Sequence, residues 1–470
     1  MEEIYCLRSG DFAMVSNTRR EFLHASIVGG TLAAGEAVGK EAEASAGEIP
    51  VKAGYDIAVV GAGTAGAIAA IQAGRLGLRT VLIEKNGMPG GTTTVAAVNF
   101  PGLFHAWGRQ VIAGIGWELV SRAVAECGGQ LPDFTVVPER HPQHQVRVNR
   151  AVYASLLCEA LQQAGVSVLF HTIPAQVEEQ EEGFLLTVCT KTGLETLRAG
   201  VVIDATGDAN VVGLAGYPLV EHDTLQPGSL ILTLAGYDFD ALDKEHLRKV
   251  FQEAVEKGEL TPEDDTFVRR NIVGFLAARG DNCTHVTNIN GRTSTGRSEA
   301  ELRSRTCLLH VYRFLRRQPG LEGLEIAFMA PECGIRETVT IQGEATITHE
   351  DYVSGRLWQD AVCYSFYPID LHYARGGGID TRPLQPGTVP TVPRGALVPK
   401  GSRRLLAAGR CLSSDREANS ALRVQATCMA CGQAAAVLAA QAVRENTGVM
   451  NVDMKGVYEI LRQHRAIVPG

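Results

Sequence analysis

An α/β fold with a central parallel sheet, a β-meander and an inserted α+β segment is predicted by three features of this 470-residue chain. A glycine turn, Gly61-Ala-Gly63-Thr-Ala-Gly66, directly follows the apolar run 55–60. A second apolar run, 80–83, ends at the acid Glu84. Far along the chain the same texture returns, as an apolar strand at 405–410 and a long small-residue helix at 424–443.

Taken in order, the apolar run 55–60 reads as a strand leading into the glycine turn. The helix after it carries Ala70, Ala73, Gly74 and Gly77, small enough to pack closely on a sheet. This is a Rossmann-like arrangement, in which the first glycine makes the tight turn, the second lets the backbone approach a pyrophosphate, and the third lets helix and strand meet. The helix N-terminus offers unpaired N–H groups to phosphate, and Glu84 can accept from a ribose hydroxyl. A glycine-rich turn in an unrelated α/β protein is the competing reading; strand, helix, small residues and acid falling in register weigh against it.

Residues 90–94, Gly-Gly-Thr-Thr-Thr, form a loop able to pass close to a ligand. Helices are predicted over 112–126 and 150–164, with a loop over 127–145. Short strands follow at 166–170, 175–180, 183–190 and 195–197, then a buried strand that ends in Ala205-Thr206-Gly207-Asp208. The middle of the chain, 217–395, mixes charged helices (240–257, 295–318), strand-like runs (229–234, 326–330) and Gly/Pro loops at 376–378 and 383–399. The predicted organisation is therefore 51–215 and 401–447 as one nucleotide-binding domain, 216–400 as an inserted substrate or cap domain, and 448–470 as a C-terminal helix and tail.

A net charge of -8 and the lack of a basic stripe argue against a nucleic-acid partner. No uninterrupted apolar stretch reaches the roughly 18 residues of a membrane span. Residues 1–50 read as an export signal and linker: Arg19-Arg20, Phe22-Leu23, an apolar small-residue segment and Ala44-Ser45-Ala46 come in twin-arginine order. A periplasmic or extracytoplasmic location is expected, with a cytoplasmic protein bearing a chance arginine pair as the alternative, and Met14 competes with Met1 as the start. The eleven cysteines are scattered and none has zinc spacing, so no metal site is expected. Cys428 and Cys431 would share a helix face, where a redox pair lacks its usual setting at a helix start.

The glycine turn, Glu84-Lys85 with Gly90-Gly91, the strand end at 205–208, and the segments Ala408-Gly409-Arg410-Cys411-Leu412-Ser413 and 423–430 together resemble FAD-dependent oxidoreductases of the fumarate-reductase and glutathione-reductase type. More narrowly, with Gly334-Ile335-Arg336-Glu337-Thr338 and residues 367–372, the chain resembles the bacterial FAD-dependent oxidoreductase family that includes heterodisulfide reductase A-type flavoproteins. The resemblance implies noncovalent FAD, since no histidine stands in 91–98. It places Gly61, Gly63, Thr64, Ala65 and Gly66 at the pyrophosphate, Glu84 at the ribose, and Lys85, Gly91, Thr92 and Thr93 toward the isoalloxazine. Val177 would meet adenine through its backbone. Ala205, Thr206, Gly207 and Asp208 would line the nucleotide, and Gly409, Arg410, Arg423, Val424 and Gln425 the ribityl chain and flavin edge.

For proton handling the candidates are His372, Asp370 and Arg336, with Tyr373 and His105 behind them. Asp370 and His372 are two apart and would share one face of a strand. A structural acceptor and a satisfied half-buried ring are the plainer roles, and Arg336 has an internal pairing with Glu337 or Asp351 open to it. The expected function is hydride transfer between a small organic substrate and flavin N5, with the electron acceptor unidentified and a homo-oligomer left open. A flavin-dependent isomerase or hydratase and a nicotinamide protein without flavin are the alternatives.

Overall fold

The computed structural model describes residues 51–373 and 378–470, so the export segment expected in 1–50 and the glycines 376 and 377 lie outside the described residues. A seven-stranded sheet organises the rest. Its first strand, β1 (Val51–Val60), pairs in parallel with β2 (Thr80–Ile83), and β2 with Ser167–Leu169. On its other side β1 pairs in parallel with Gly193–Asp204, which also takes Leu405–Ala407 in parallel. The strands Ile173–Gln180, Gly183–Thr190 and Gly193–Asp204 form the antiparallel meander.

Two runs that read as separate strands, 195–197 and 201–208, are one twelve-residue strand. Arg198 and Gly200 interrupt the apolar pattern without ending the strand, because β1 pairs along nearly its whole length and satisfies the backbone. β1 itself begins at Val51 rather than 55, its exposed start paired with the same strand.

Alternation along these strands builds two cores. Ile57, Val59, Leu82, Val201 and Ile203 face the cluster that includes helix α1 (Thr64–Arg75), whereas Ala58, Val60, Val81 and Val202 face the meander side. A third cluster contains residues from Leu230 to Cys333, with Ala97. The apolar residues between Val362 and Val398 pack instead with the first cluster. Within the 383–399 segment, expected as loop, Thr391–Pro393 is a short strand paired to Ala361–Tyr364.

The helix Gln425–Arg444 is long and apolar enough to cross a membrane by length and composition, which a search for uninterrupted apolar runs passes over. It is a core helix, with 83% of its apolar window buried. Gly432 lets it press onto the start of α1.

Candidate functional site

Sheet register brings the predicted cofactor segments together. Val60 pairs with both Ile83 and Asp204, and Asp204 with Ala407, so four strand ends lie side by side. The turns that leave them carry Gly61–Gly66, Glu84–Lys85, Ala205–Gly207 and Ala408–Arg410, and all contribute to one cleft. This is the carboxyl edge of the parallel strands, where open α/β sheets bind ligands.

The three glycines differ in what requires them. Gly61 has φ +95°, and a Cβ on it would lie 2.5 Å from the Ala205 carbonyl oxygen. A Cβ on Gly66 would lie 1.8 Å from the Gly61 carbonyl oxygen. Both are demanded by the fold. Gly63 is not: a Cβ there meets only the Ala205 oxygen, at 3.9 Å, and otherwise enters the open cleft. The middle glycine thus keeps clear a space that the protein itself does not fill. Gly63 is also the N-cap of α1 and supplies no side-chain cap, leaving first-turn N–H groups for an anion. These features fit a dinucleotide pyrophosphate.

Glu84 is buried and lines the cleft; its Oε2 accepts from Ala62 N–H at 2.7 Å and its Oε1 from Asn86 N–H at 2.8 Å. Burial raises its pKa against the pull of those two donors. Each oxygen keeps a further lone pair, so the carboxylate can brace the glycine turn and still accept from a hydroxyl. Lys85 lines the cleft too and is ion-paired with Glu332 of the insert.

Asp204 is fully buried and ties down the turn after its strand, accepting from Thr206 N–H at 3.0 Å, Thr206 Oγ1 at 2.7 Å and Val212 N–H at 3.0 Å. Asp208 lies behind the cleft surface, ion-paired with Arg410 at 2.5 Å and Arg297 at 2.9 Å, and accepts from Thr338 Oγ1 at 3.0 Å. Burial pushes the Asp208 carboxyl up, but the two guanidinium charges outweigh it and hold the pKa below the ordinary value. Arg410 and Arg297 both line the cleft.

Two other predicted residues, Gly66 and Thr93, serve the cleft from behind, whereas Gln425 lines it. Gly66 packs helix on strand, as above. Thr93 is fully buried, its hydroxyl donating to Gln425 Oε1, while Gln425 Nε2 donates to the Val98 carbonyl at 2.8 Å. This pair fastens the 90–98 loop to the start of the last long helix. That helix, capped by Val424 without a side-chain bond, presents its first turn to the cleft, although Ala426 N–H is already taken by the Pro101 carbonyl at 2.8 Å.

Val177 does not reach the cleft. It is buried in the meander-side core, in register with Leu186. The meander strand begins at Ile173, and the segment just before it approaches the acid instead, with Thr172 N–H donating to the Glu84 carbonyl at 3.0 Å.

The proton-handling candidates meet at the same cleft. Asp370 and His372 share a face of the strand Ile369–His372, with His372 Nε2 3.4 Å from Asp370 Oδ2. Arg423 lies 3.5 Å from the same oxygen and donates to the Asp370 carbonyl at 3.1 Å. His285, from the insert, brings its Nε2 to 3.0 Å from His372 Nδ1. Gln226 Oε1 accepts from the His372 backbone N–H at 3.2 Å.

Arg336 pairs with neither sequence-expected partner. Glu337 takes Arg416 at 2.9 Å, and Asp351 takes Arg356 at 2.8 Å. The Arg336 guanidinium donates instead to the Pro227 carbonyl at 2.7 Å and to Asn282 Oδ1 at 3.2 Å. His285, Asn282, Gln226 and Arg297 carry no signal in the sequence, because each gains its meaning only from neighbours far away in the chain.

Electrostatics assign protonation states. Burial, followed by the charge of Arg336, takes His372 down to about 3, and burial with the Arg336 and His372 charges takes His285 to about 2. Burial raises Asp370, but the hydrogen bond from His372 and the Arg423 charge overcome it and hold the carboxyl at about 2. At neutral pH the cluster is therefore an ionised Asp370 beside two neutral imidazoles, and the tautomer with the proton on His372 Nε2 would face Asp370 and leave Nδ1 to accept from His285 Nε2. Tyr373, expected as a further candidate, is half exposed. His105 sits away from the cleft, stacked on Phe134 at 3.8 Å. Cys428 lines the cleft, whereas Cys431 turns to Cys363, the two sulfurs 3.8 Å apart.

A 58-residue stretch is 45% identical to dihydrolipoyl dehydrogenase of Trypanosoma brucei brucei, and it spans only 12% of each chain. Among solved structures, a geranylgeranyl bacteriochlorophyll reductase-like protein from Thermoplasma acidophilum aligns over 88% of this chain and 84% of its own, at 14% identity and TM-score 0.39. The myxobacterial chondrochloren halogenase CndH aligns over 88% and 80%, at 13% identity and TM-score 0.39. Residues 56–462 match the profile of one family, and the chain belongs to it: the FAD dependent oxidoreductases.

Proposed function

We propose that the chain transfers a hydride between a carbon of a small organic substrate and FAD, held noncovalently in the cleft. The observation that carries this reading is the convergence, in one cleft, of the glycine-turn cradle with the Asp370–His372–Arg336 cluster from a distant part of the chain. The flavin, when bound, supplies the hydride acceptor or donor. The chain's own residues do the rest.

Gly61, Thr64, Ala65 and Ala205–Gly207 bind the nucleotide, and Arg410 and Arg297 supply positive charge beside it. Glu84 braces the turn and receives a ribose hydroxyl. Asp370, kept ionised and held in place by Arg423 and His372, presents a carboxylate toward the substrate space. His372 is a neutral imidazole fixed by Asp370 and His285 on its two nitrogens, so it orients the carboxylate and shares a proton that arrives there.

Anaerobic mixing of the yellow holoprotein with a panel of hydroxy acids, amino acids, sugars and steroids tests the reading. Bleaching of the visible flavin band by one of them is expected. Turnover of a substrate with the band unchanged and no acceptor consumed would instead identify an isomerase or hydratase.

Export by the twin-arginine route is proposed on the order of Arg19, Arg20, the apolar segment and Ala44-Ser45-Ala46. Replacing both arginines by lysine should retain the protein inside the cell; unchanged fractionation would reject the proposal.

A further inference from the structure

Two groups of charge, buried or partly buried, stand at the cleft and share no residue. In the first, Arg410 and Arg297 meet the single carboxylate Asp208, a surplus of positive charge that the cofactor's two phosphates answer. In the second, Arg423 meets the single carboxylate Asp370, with His372 and His285 neutral beside them and the charge of Arg336 felt by all three. Arg423 and His372 already occupy Asp370. Arg336 is buried, lines the cleft, and makes no ion pair among the described residues. Its two recorded acceptors, a carbonyl and an amide oxygen, are neutral.

A buried guanidinium without an anion is costly, and it has five donors of which two are engaged. The cost shows in its pKa, which burial first and the Arg423 charge second bring down to about 9. The two neutral acceptors also fix the plane of the fork, since each holds a different terminal nitrogen. A planar fork held in place at a cleft wall is suited to a carboxylate, which it can meet with two parallel hydrogen bonds.

We propose that the substrate carries a carboxylate, and that Arg336 receives it. The inference rests on the oxidoreductase reading for the identity of the substrate space, and it narrows that reading to organic acids. Asn282 and Pro227 act as positioning residues that hold the guanidinium toward the cleft. Asp370, in the same cleft, is left to handle the proton while Arg336 anchors the substrate.

The test is binding, which needs no turnover. Acetate, succinate and benzoate, and their uncharged amides, are titrated into the FAD-loaded full chain while the visible flavin spectrum is followed. At least one acid should perturb the band saturably, with its amide weaker by about thirtyfold or more, the effect of removing one partner of a buried charge pair. Arg336→Met should retain FAD and lose the discrimination. Arg336→Lys, which keeps the charge and loses the fork, should weaken the acid by about tenfold and leave the amide unchanged.

Equal binding of acid and amide, or no saturable binding by any of the three acids, overturns the proposal. So does an Arg336→Met protein that binds the acid as the parent does while its flavin potential falls, since the charge would then belong to the reduced cofactor. Failure of the hydride-transfer reading looks different: no compound bleaches the flavin, yet acids still bind through Arg336.

Discussion

Gly432 lies against Ala65, so close that a Cβ on the glycine would sit 2.1 Å from the Ala65 carbonyl oxygen. The contact joins the last long helix to the first turn of α1, two segments from opposite parts of the chain. It also sets the distance between two helix N-termini that both face the cleft. Gly432→Ala should cost about 1–3 kcal/mol, the ordinary price of overpacking a core, and should loosen FAD as well. Thermal melting and the FAD content of the purified protein check this. An alanine variant that melts normally and stays yellow would show the helix contact to be soft.

Substitutions at Gly63 and Gly66 should separate binding from folding. Gly63→Ala places its Cβ in open cleft space and should leave the apoprotein's melting temperature unchanged while lowering FAD affinity. Gly66→Ala collides with the Gly61 carbonyl and should destabilise the apoprotein itself. The FAD-induced rise in melting temperature, about 2.7 kcal/mol of stabilisation at a hundredfold excess over Kd for the parent, should shrink selectively in the Gly63 variant. The opposite order of effects would reverse the assignment of the two glycines.

Stability should fall as the solution is acidified. His372 and His285 have folded pKa values far below 6.5, so the unfolded chain binds more protons than the native one from about pH 6.5 down to about pH 3. The stability they contribute is complete above pH 6.5 and is lost across that window, by about 1.4 kcal/mol per pH unit for each imidazole, with the two titrating as a pair. His285→Gln, which keeps a donor for His372 Nδ1, should reduce the slope of melting temperature against pH by about half. A slope unchanged from the parent would mean that other groups govern acid unfolding.

Asp370→Asn should keep FAD and slow chemistry. Asp370 contributes no contact among the glycine turns, and the amide loses the charge that Arg423 and His372 hold in place. With any substrate that bleaches the parent flavin, single-turnover reduction should slow by about a hundredfold or more, the range of a lost acid–base group. A normal rate would remove Asp370 from the proton path.

Much of the nucleotide half was legible because its instructions are local. The glycine turn, the apolar run before it and the acid after β2 are read within some thirty residues of one another, and each reports a backbone requirement that tertiary context cannot easily override. Gly61 and Gly66 show this directly, since the backbone itself leaves no room for a Cβ. Val177, placed at adenine by the resemblance alone, has its side chain in the meander-side core, a position that strand periodicity cannot relate to a ligand.

The sequence by itself determined the α/β class, the position of the cofactor turn and the pairing of Asp370 with His372 on one strand face, because sheet period and turn sterics act between neighbours in the chain. Only the tertiary structure decided that Glu337 and Asp351 find other arginines, that Arg336 is left facing the cleft with neutral partners, and that His285 joins His372 at 3.0 Å. Charge pairing and imidazole protonation depend on burial and on distances between segments far apart in sequence, and those come into being only in the folded chain.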